Sequence, residues 1–181
     1  MKTILAAGVA ASLFFAAASA DAISINGDVG EHFTNVGFGF GTTTPGLALS
    51  GNWAHSEDNG DAAGLGLGYN IPLNPFMVTL GGKGMYVGPK DGGDGYAAAL
   101  GGGVQLPVGS MFGLYGEYYY SPDSLSSGID SYTEANAGLR LTAIPMVTVS
   151  VGYRYMTLDG KDGHRDSVLA DGPYIGGAVN F

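Results

Sequence analysis

The chain contains no cysteine, so no disulfide can hold it together, although exported domains often rely on them. It is poor in charge. Only 13% of its residues are Asp, Glu, Lys or Arg, and 7 basic residues face 16 acidic ones for a net charge of -9. With a pI near 4.4, nucleic acid is excluded as a partner, because phosphate binding needs clustered Lys and Arg. Beyond the first twenty residues no apolar run could form a membrane-spanning helix. The most tempting stretch, 95–116, has seven glycines and Pro107 and reads as two strands and a turn. Phosphate loops are missing as well: neither Gly101-Gly102-Gly103 nor the alternating Gly64, Gly66 and Gly68 is followed by Gly-Lys-Ser/Thr. What the chain does have is 33 Gly, 11 Tyr and 8 Phe in a composition that is 45% hydrophobic. That is too aromatic for disorder, and the glycines lack the three-residue period of collagen.

Lys2 precedes an uncharged run from Thr3 to Ala17 that closes on Ala18-Ser19-Ala20, a small-x-small pattern. This is the form of a secretory signal peptide, residues 1–20, with cleavage expected after Ala20. A run of about fifteen apolar residues falls short of the roughly 20 that a spanning helix needs. Residues 21–181 then form one exported unit without disulfides. A closed sheet, in which edge strands pair with each other, is one way to stabilise it.

From Val147 every second residue is large and apolar: Val147, Val149, Val151, Tyr153 and Tyr155 alternate with Thr148, Ser150, Gly152, Arg154 and Met156. A period of two marks a strand with two unlike faces. The pattern recurs through Leu47–Trp53, Leu65–Ile71 and Phe112–Tyr120. Turn signals divide the chain into strands near 22–29, 33–41, 46–55, 62–71, 76–87, 96–106, 112–120, 132–142, 146–157 and 173–181. Short connections carrying Pro45, Pro72 with Pro75, Pro107 and Pro145 alternate with longer acidic ones at 56–61, 88–95, 121–131 and 158–172. The expected fold is all-β: a transmembrane antiparallel up-and-down β-barrel of about ten strands, with eight or twelve as alternatives. Strands of about ten residues rise about 33 Å and, tilted by about 45°, span roughly 24 Å, the height of an outer-membrane apolar band.

Alternation alone does not say which face meets water, and a soluble periplasmic lipocalin-like barrel with its apolar face inward is the alternative. Three features favour lipid outside. The polar face is made of small residues, it carries few Lys or Glu, and the chain ends in Phe181 on an alternating strand. Trp53, Tyr69, Tyr86, Tyr118, Tyr120, Tyr153, Tyr155 and Phe181 fall near segment ends, where interfacial girdles sit. The terminal aromatic has the form of the signal read by the outer-membrane assembly machinery. Outer-membrane lipid and lipopolysaccharide are the other expected partners, no cofactor is implied, and nothing in the residues sets an oligomeric state.

Several segments are similar to a known family: G-N-W (51–53), D-A-A-G-L-G-L-G (61–68), Y-G-E-Y-Y-Y-S-P-D-S-L-S-S-G (115–128), V-G-Y-R-Y (151–155), G-K-D-G-H-R (160–165) and L-A-D-G-P-Y-I-G (169–176). Across the exported unit the chain resembles the YfaZ family of small bacterial outer-membrane proteins. The resemblance implies a location in the outer membrane of a Gram-negative bacterium and a β-barrel, and it supplies no catalytic residues.

If the apolar face meets lipid, the opposite phase turns Lys83, Glu117, Glu134, Arg140 and Arg154 into the lumen. Charges in a narrow barrel need partners, so these residues are either a packing network or the lining of a polar channel, narrowed by Tyr115 and Tyr119. Thirteen of the 16 acidic residues, Asp28 among them, fall in expected outside connections, as solubilising loops would have it. Asp58, Asp61, Asp159 and Asp162 are weak candidates for a divalent cation, since Asp159-Gly-Lys-Asp162-Gly departs from the D-x-D-x-D-G loop. An enzyme acting on outer-leaflet lipid or peptides would draw on His32, His55 or His164, the last lying between Asp162 and Asp166. His55 and Ser56 make a poor dyad, because neighbours in a strand point to opposite faces. The expectation is a non-enzymatic envelope protein, either a narrow pore or a surface-binding or structural barrel.

Overall fold

The computed structural model describes residues 23–90, 93–144, 146–161 and 166–181. Ten strands form the barrel: β1 (Ile23–Gly30), β2 (Phe33–Phe40), β3 (Gly46–Ser56), β4 (Gly60–Leu73), β5 (Phe76–Pro89), β6 (Gly95–Val108), β7 (Phe112–Ser121), β9 (Ile129–Ile144), β10 (Val147–Gly160) and β11 (Ser167–Asn180). A 3-10 turn (Asp123–Leu125) and a two-residue strand β8 (Ser126–Ser127), paired with β6, lie in the connection after β7. Each barrel strand pairs antiparallel with its chain neighbour, and β11 returns to β1. Closure lets every strand satisfy its backbone groups laterally, the condition for crossing hydrocarbon.

The start of β1 and the end of β11 share one rim with the connections at 41–45, 74–75 and 109–111 and the link from β9 to β10, which is the periplasmic rim under the rule for such barrels. The opposite, outer rim carries the connections at 31–32, 57–59, 90–94, 122–128 and 161–166. These are shorter than the sequence pattern suggests, because the strands run on into them. β9 begins at Ile129, and β11 begins at Ser167 rather than near 173. β11 therefore overhangs β1, whose pairing with it ends at Gly30 opposite Tyr174. Pro173 sits in this overhang, where one flank of the strand has no neighbour to receive an N–H. Across the gap above the short β1–β2 hairpin, the β3–β4 turn leans over, and Asn59 Nδ2 donates to the Val168 carbonyl at 2.8 Å.

The face assignment is unambiguous. Val149 is 44% exposed and Leu47 68%, as are Ile25, Phe38, Leu65, Leu80, Leu100 and Ile175 to similar degrees, all pointing outward. The alternate positions hold buried Asp28, Asn35, Lys83, Glu134, Asn136 and Arg154. A soluble barrel would have the reverse arrangement, so the lipocalin-like alternative falls. Inside, small residues make room for large ones. A Cβ at Gly138 would overlap the Tyr115 hydroxyl, and one at Gly152 would press on Tyr174. In β6, a Cβ on Gly101 or Gly102 would overlap the carbonyl oxygens of Tyr118 and Thr79 on the flanking strands, so glycine is what permits that close approach.

Candidate functional site

The interior is layered along the barrel axis. In the outer half it is mainly apolar, with buried hydroxyls of Ser56, Ser121, Ser131, Thr157 and Ser167 near the strand ends, which departs from a polar lumen running the full height. Phe33, Ala54, Ala62, Met85, Val87, Ala97, Ile129, Tyr132, Met156, Leu158 and Leu169 form one buried cluster. Every barrel strand except β1 contributes to it, β7 through Tyr119, each through inward positions near its outer end. Tyr132, Met156 and Val87 are fully buried. A bulge between Met156 and Thr157 in β10 shifts the phase there, and Met156, Thr157 and Leu158 are all buried.

Below the apolar layer lies a charged belt. Lys83 Nζ on β5 donates to Glu134 Oε2 on β9 at 3.0 Å and lies 4.0 Å from Glu117 Oε2 on β7. Its ammonium also sits 4.1 Å from the centre of the Tyr119 ring. The Tyr132 hydroxyl donates to the same Glu134 oxygen at 3.0 Å. On the other side Arg154 Nη2 on β10 donates to Asp28 Oδ2 on β1 at 3.0 Å. Asn35 Nδ2 donates to that carboxylate at 3.1 Å, and Asn52 Nδ2 donates to Asn35 Oδ1 at 3.3 Å. The two halves approach through Asn136, whose amide donates to Glu117 Oε1 at 3.0 Å while its Oδ1 accepts from the Tyr174 hydroxyl at 2.8 Å. Tyr174 in turn bonds the Tyr115 hydroxyl. Asp28, read as an outside-connection acid, is thus a buried member of the belt. Its signal was its even spacing from Ser24 and Asn26 on one face of β1.

The periplasmic half is polar and hollow. A cavity of about 290 Å³ reaches from Lys83 and Glu117 down to Arg140, Thr148 and Asn180. A second of about 380 Å³ lies at the mouth, among the turns around Pro75 and Gly109. Arg140 and Gln105 line both. Arg140 Nη1 donates to Gln105 Oε1 at 3.2 Å, and its guanidinium lies 4.8 Å from the Tyr115 ring centre. The β2–β3 turn folds inward across this mouth. Buried Asn70 Nδ2 donates at 2.8 Å to both the Gly41 and Thr44 carbonyls, Thr79 Oγ1 secures Asn70 Oδ1 at 2.7 Å, and Gln105 Nε2 donates to the Thr42 carbonyl at 2.9 Å.

Of the candidate aromatics, Trp53, Tyr86, Tyr118, Tyr120, Tyr153 and Tyr155 point outward in the outer half of the wall, while Tyr69 and Phe181 point outward nearer the periplasmic rim. Trp53 and Tyr86 flank Ala63 in one cross-strand row, and the Tyr86 ring lies 5.4 Å from that of Tyr96.

Among the described residues the candidate catalytic and metal residues do not gather beyond the pair His55 and Asp61. His55 faces outward, stacked on Trp53 at 5.8 Å and bonded through Nδ1 to Asp61 Oδ1 at 2.9 Å, whereas Ser56 is buried on the other face. His32 is exposed beside Glu31. Asp58 lies in the β3–β4 turn, and Asp159 accepts from the Ser131 hydroxyl. Asp162 and His164 lie outside the described residues. Among the described residues no group of three or more His, Asp or Glu gathers for a metal.

The profile of the YfaZ family, described as YfaZ precursor, matches residues 1–181. The chain is also 59% identical over 181 residues, the full length of both, to the Outer membrane protein YfaZ of Escherichia coli (strain K12). The chain belongs to the YfaZ family. As a YfaZ protein it is an outer-membrane β-barrel of a Gram-negative bacterium, exported as a precursor with a cleaved leader. The expected cut after Ala20 lies outside the described residues. Among solved structures, a NanC porin is 16% identical over 88% of this YfaZ chain and 100% of its own, with a TM-score of 0.49. A KdgM porin is 11% identical over 88% of this chain and 99% of its own, with a TM-score of 0.47. The closed ten-strand ring follows from the strand pairing itself, with β11 returning to β1.

Proposed function

We propose that this YfaZ barrel is a non-conducting, non-enzymatic envelope protein, closed toward the outside and open toward the periplasm. The observation that carries this reading is the buried apolar layer in the outer half of the lumen. A conducting barrel keeps a wetted path through its wall, and Tyr132, Met156, Leu158 and Leu169 fill that path here. The belt beneath serves as packing: its five charges, two cations and three carboxylates, are held by one another and by amides and tyrosines. The scattered positions of His32, His55 and Ser56 support a role without catalysis.

The outward apolar face suits outer-membrane lipid, and the aromatic rows suit its interfaces with lipopolysaccharide above and periplasm below. The seam where Phe181 N–H donates to the Ile23 carbonyl at 2.8 Å supports a last strand that is presented to the assembly machinery and then closes on β1. Conductance of refolded protein in planar bilayers tests the reading. No channel events are expected in chloride, acetate or phosphate salts. Steady single-channel steps from the unmodified chain would overturn it.

A further inference from the structure

The charges of the lumen are unequally satisfied. Lys83 has Glu134 and Glu117, and Arg154 has Asp28, but among the described residues no carboxylate lies within 4.0 Å of Arg140. Among the described residues its side-chain acceptor is the neutral Gln105. Arg154, 5% exposed, carries a second surplus: its Nε and Nη1 are buried and have no hydrogen-bond partner. Arg140 and Arg154 both line the cavity of about 290 Å³, which reaches Thr148 and Asn180 near the rim where β11 ends. Buried donors without acceptors are costly, so the two on Arg154, together with a half-buried Arg140 that faces no close carboxylate across the same volume, leave this chamber short of an acceptor.

We propose that this chamber is a binding site for a small carboxylate-bearing solute that enters from the periplasm, with Arg140 at the neck as its anchor. The planar fork of a guanidinium matches a carboxylate in two parallel hydrogen bonds, and low local dielectric strengthens them. Around the neck, Gln105, Thr148 and Asn180 offer neutral donors and acceptors for the rest of the solute, and the Tyr115 ring offers a face. At about 290 Å³ the chamber is at the small end of ligand pockets, which restricts the occupant to about ten heavy atoms. Glu117, on the same wall, disfavours solutes with a second negative charge.

The inference rests on the closed-barrel reading, since a through pore would transport such a solute rather than hold it. Its test uses the refolded chain in detergent micelles, with side-chain Nε–H resonances of arginine followed by NMR during titration with acetate, acetamide and chloride. Acetate should shift the Arg140 and Arg154 signals saturably, with a Kd in the range of about 1–10 mM. Acetamide, of the same shape without charge, should bind at least about tenfold more weakly. Arg140→Gln should abolish saturation while keeping the heat-modifiable gel mobility of a folded barrel. Should that variant not fold, Arg140→Lys, which keeps the charge but loses the fork, should weaken acetate at least about threefold. No saturable shift, an equal response to chloride, or full acetate binding by Arg140→Lys would each overturn the proposal. A bilayer recording of the same preparation separates the two readings: silence without acetate binding sinks only the site, and conduction sinks the closed barrel beneath it.

Discussion

At the level of single residues, face decides the effect of a substitution more than chemistry does. Val149 points into hydrocarbon, and its neighbour Thr148 lines the lumen within hydrogen-bond reach of Thr142 and Asn180. Val149→Arg should therefore cost roughly 2–4 kcal/mol in urea unfolding from lipid vesicles, and Thr148→Arg distinctly less. Equal losses would mean the strand phase is wrong. The Lys83–Glu134 pair makes the converse point, because both partners are buried. Lys83→Met should destabilise the barrel by about 3–5 kcal/mol by stranding Glu134, and adding Glu134→Gln should recover part of the loss. Both faces were legible in the sequence wherever large and small residues alternate, as from Val147 to Tyr155. Asp28 was not, because a carboxylate three residues from Glu31 looks like part of a loop until the opposite wall supplies Arg154.

At the level of elements, turns and strand ends carry the surprises. Leu169-Ala170-Asp171-Gly172-Pro173 has the composition of a turn, yet it belongs to β11, since the overhang above β1 relieves Pro173 of a ladder bond. No single-chain pattern marks such an edge, because it depends on how far a partner distant in sequence extends. The inward β2–β3 turn is similar: Thr42 and Thr43 read as a plain polar link, and only Asn70 and Gln105 reveal that it folds across the mouth. Asn70→Ala should free two carbonyls and the Thr79 hydroxyl, costing about 1–3 kcal/mol. Faster cleavage by a protease added from the periplasmic side, at 41–45, would report the same release. Unchanged stability and cleavage would show that the turn holds its place without Asn70.

At the level of the whole molecule, strand number, closure and direction were readable from ten alternating segments and an even count that returns Phe181 to the starting rim. The layering of the interior was not, because Met156 and Leu158 look like ordinary members of an alternating strand. Their consequence appears only when nine strands bring similar residues to one height. If this layer is what closes the barrel, thinning it should open a path. Leu158→Ala and Leu169→Ala should each cost about 2–5 kcal/mol, and their combination with Met156→Ala should turn a silent bilayer into one with small, frequent current steps. Persistent silence in a correctly folded triple variant would place the seal elsewhere, in the β3–β4 turn that reaches Val168.

That turn deserves a last consequence. By bridging the low wall of the β1–β2 hairpin, Asn59 ties the β3–β4 turn to β11 across the outer rim. Closed in the way proposed above, such barrels add no leak to the envelope however many are inserted, since bulky toxic compounds arriving from the medium meet as little opening in the protein as in the surrounding lipid.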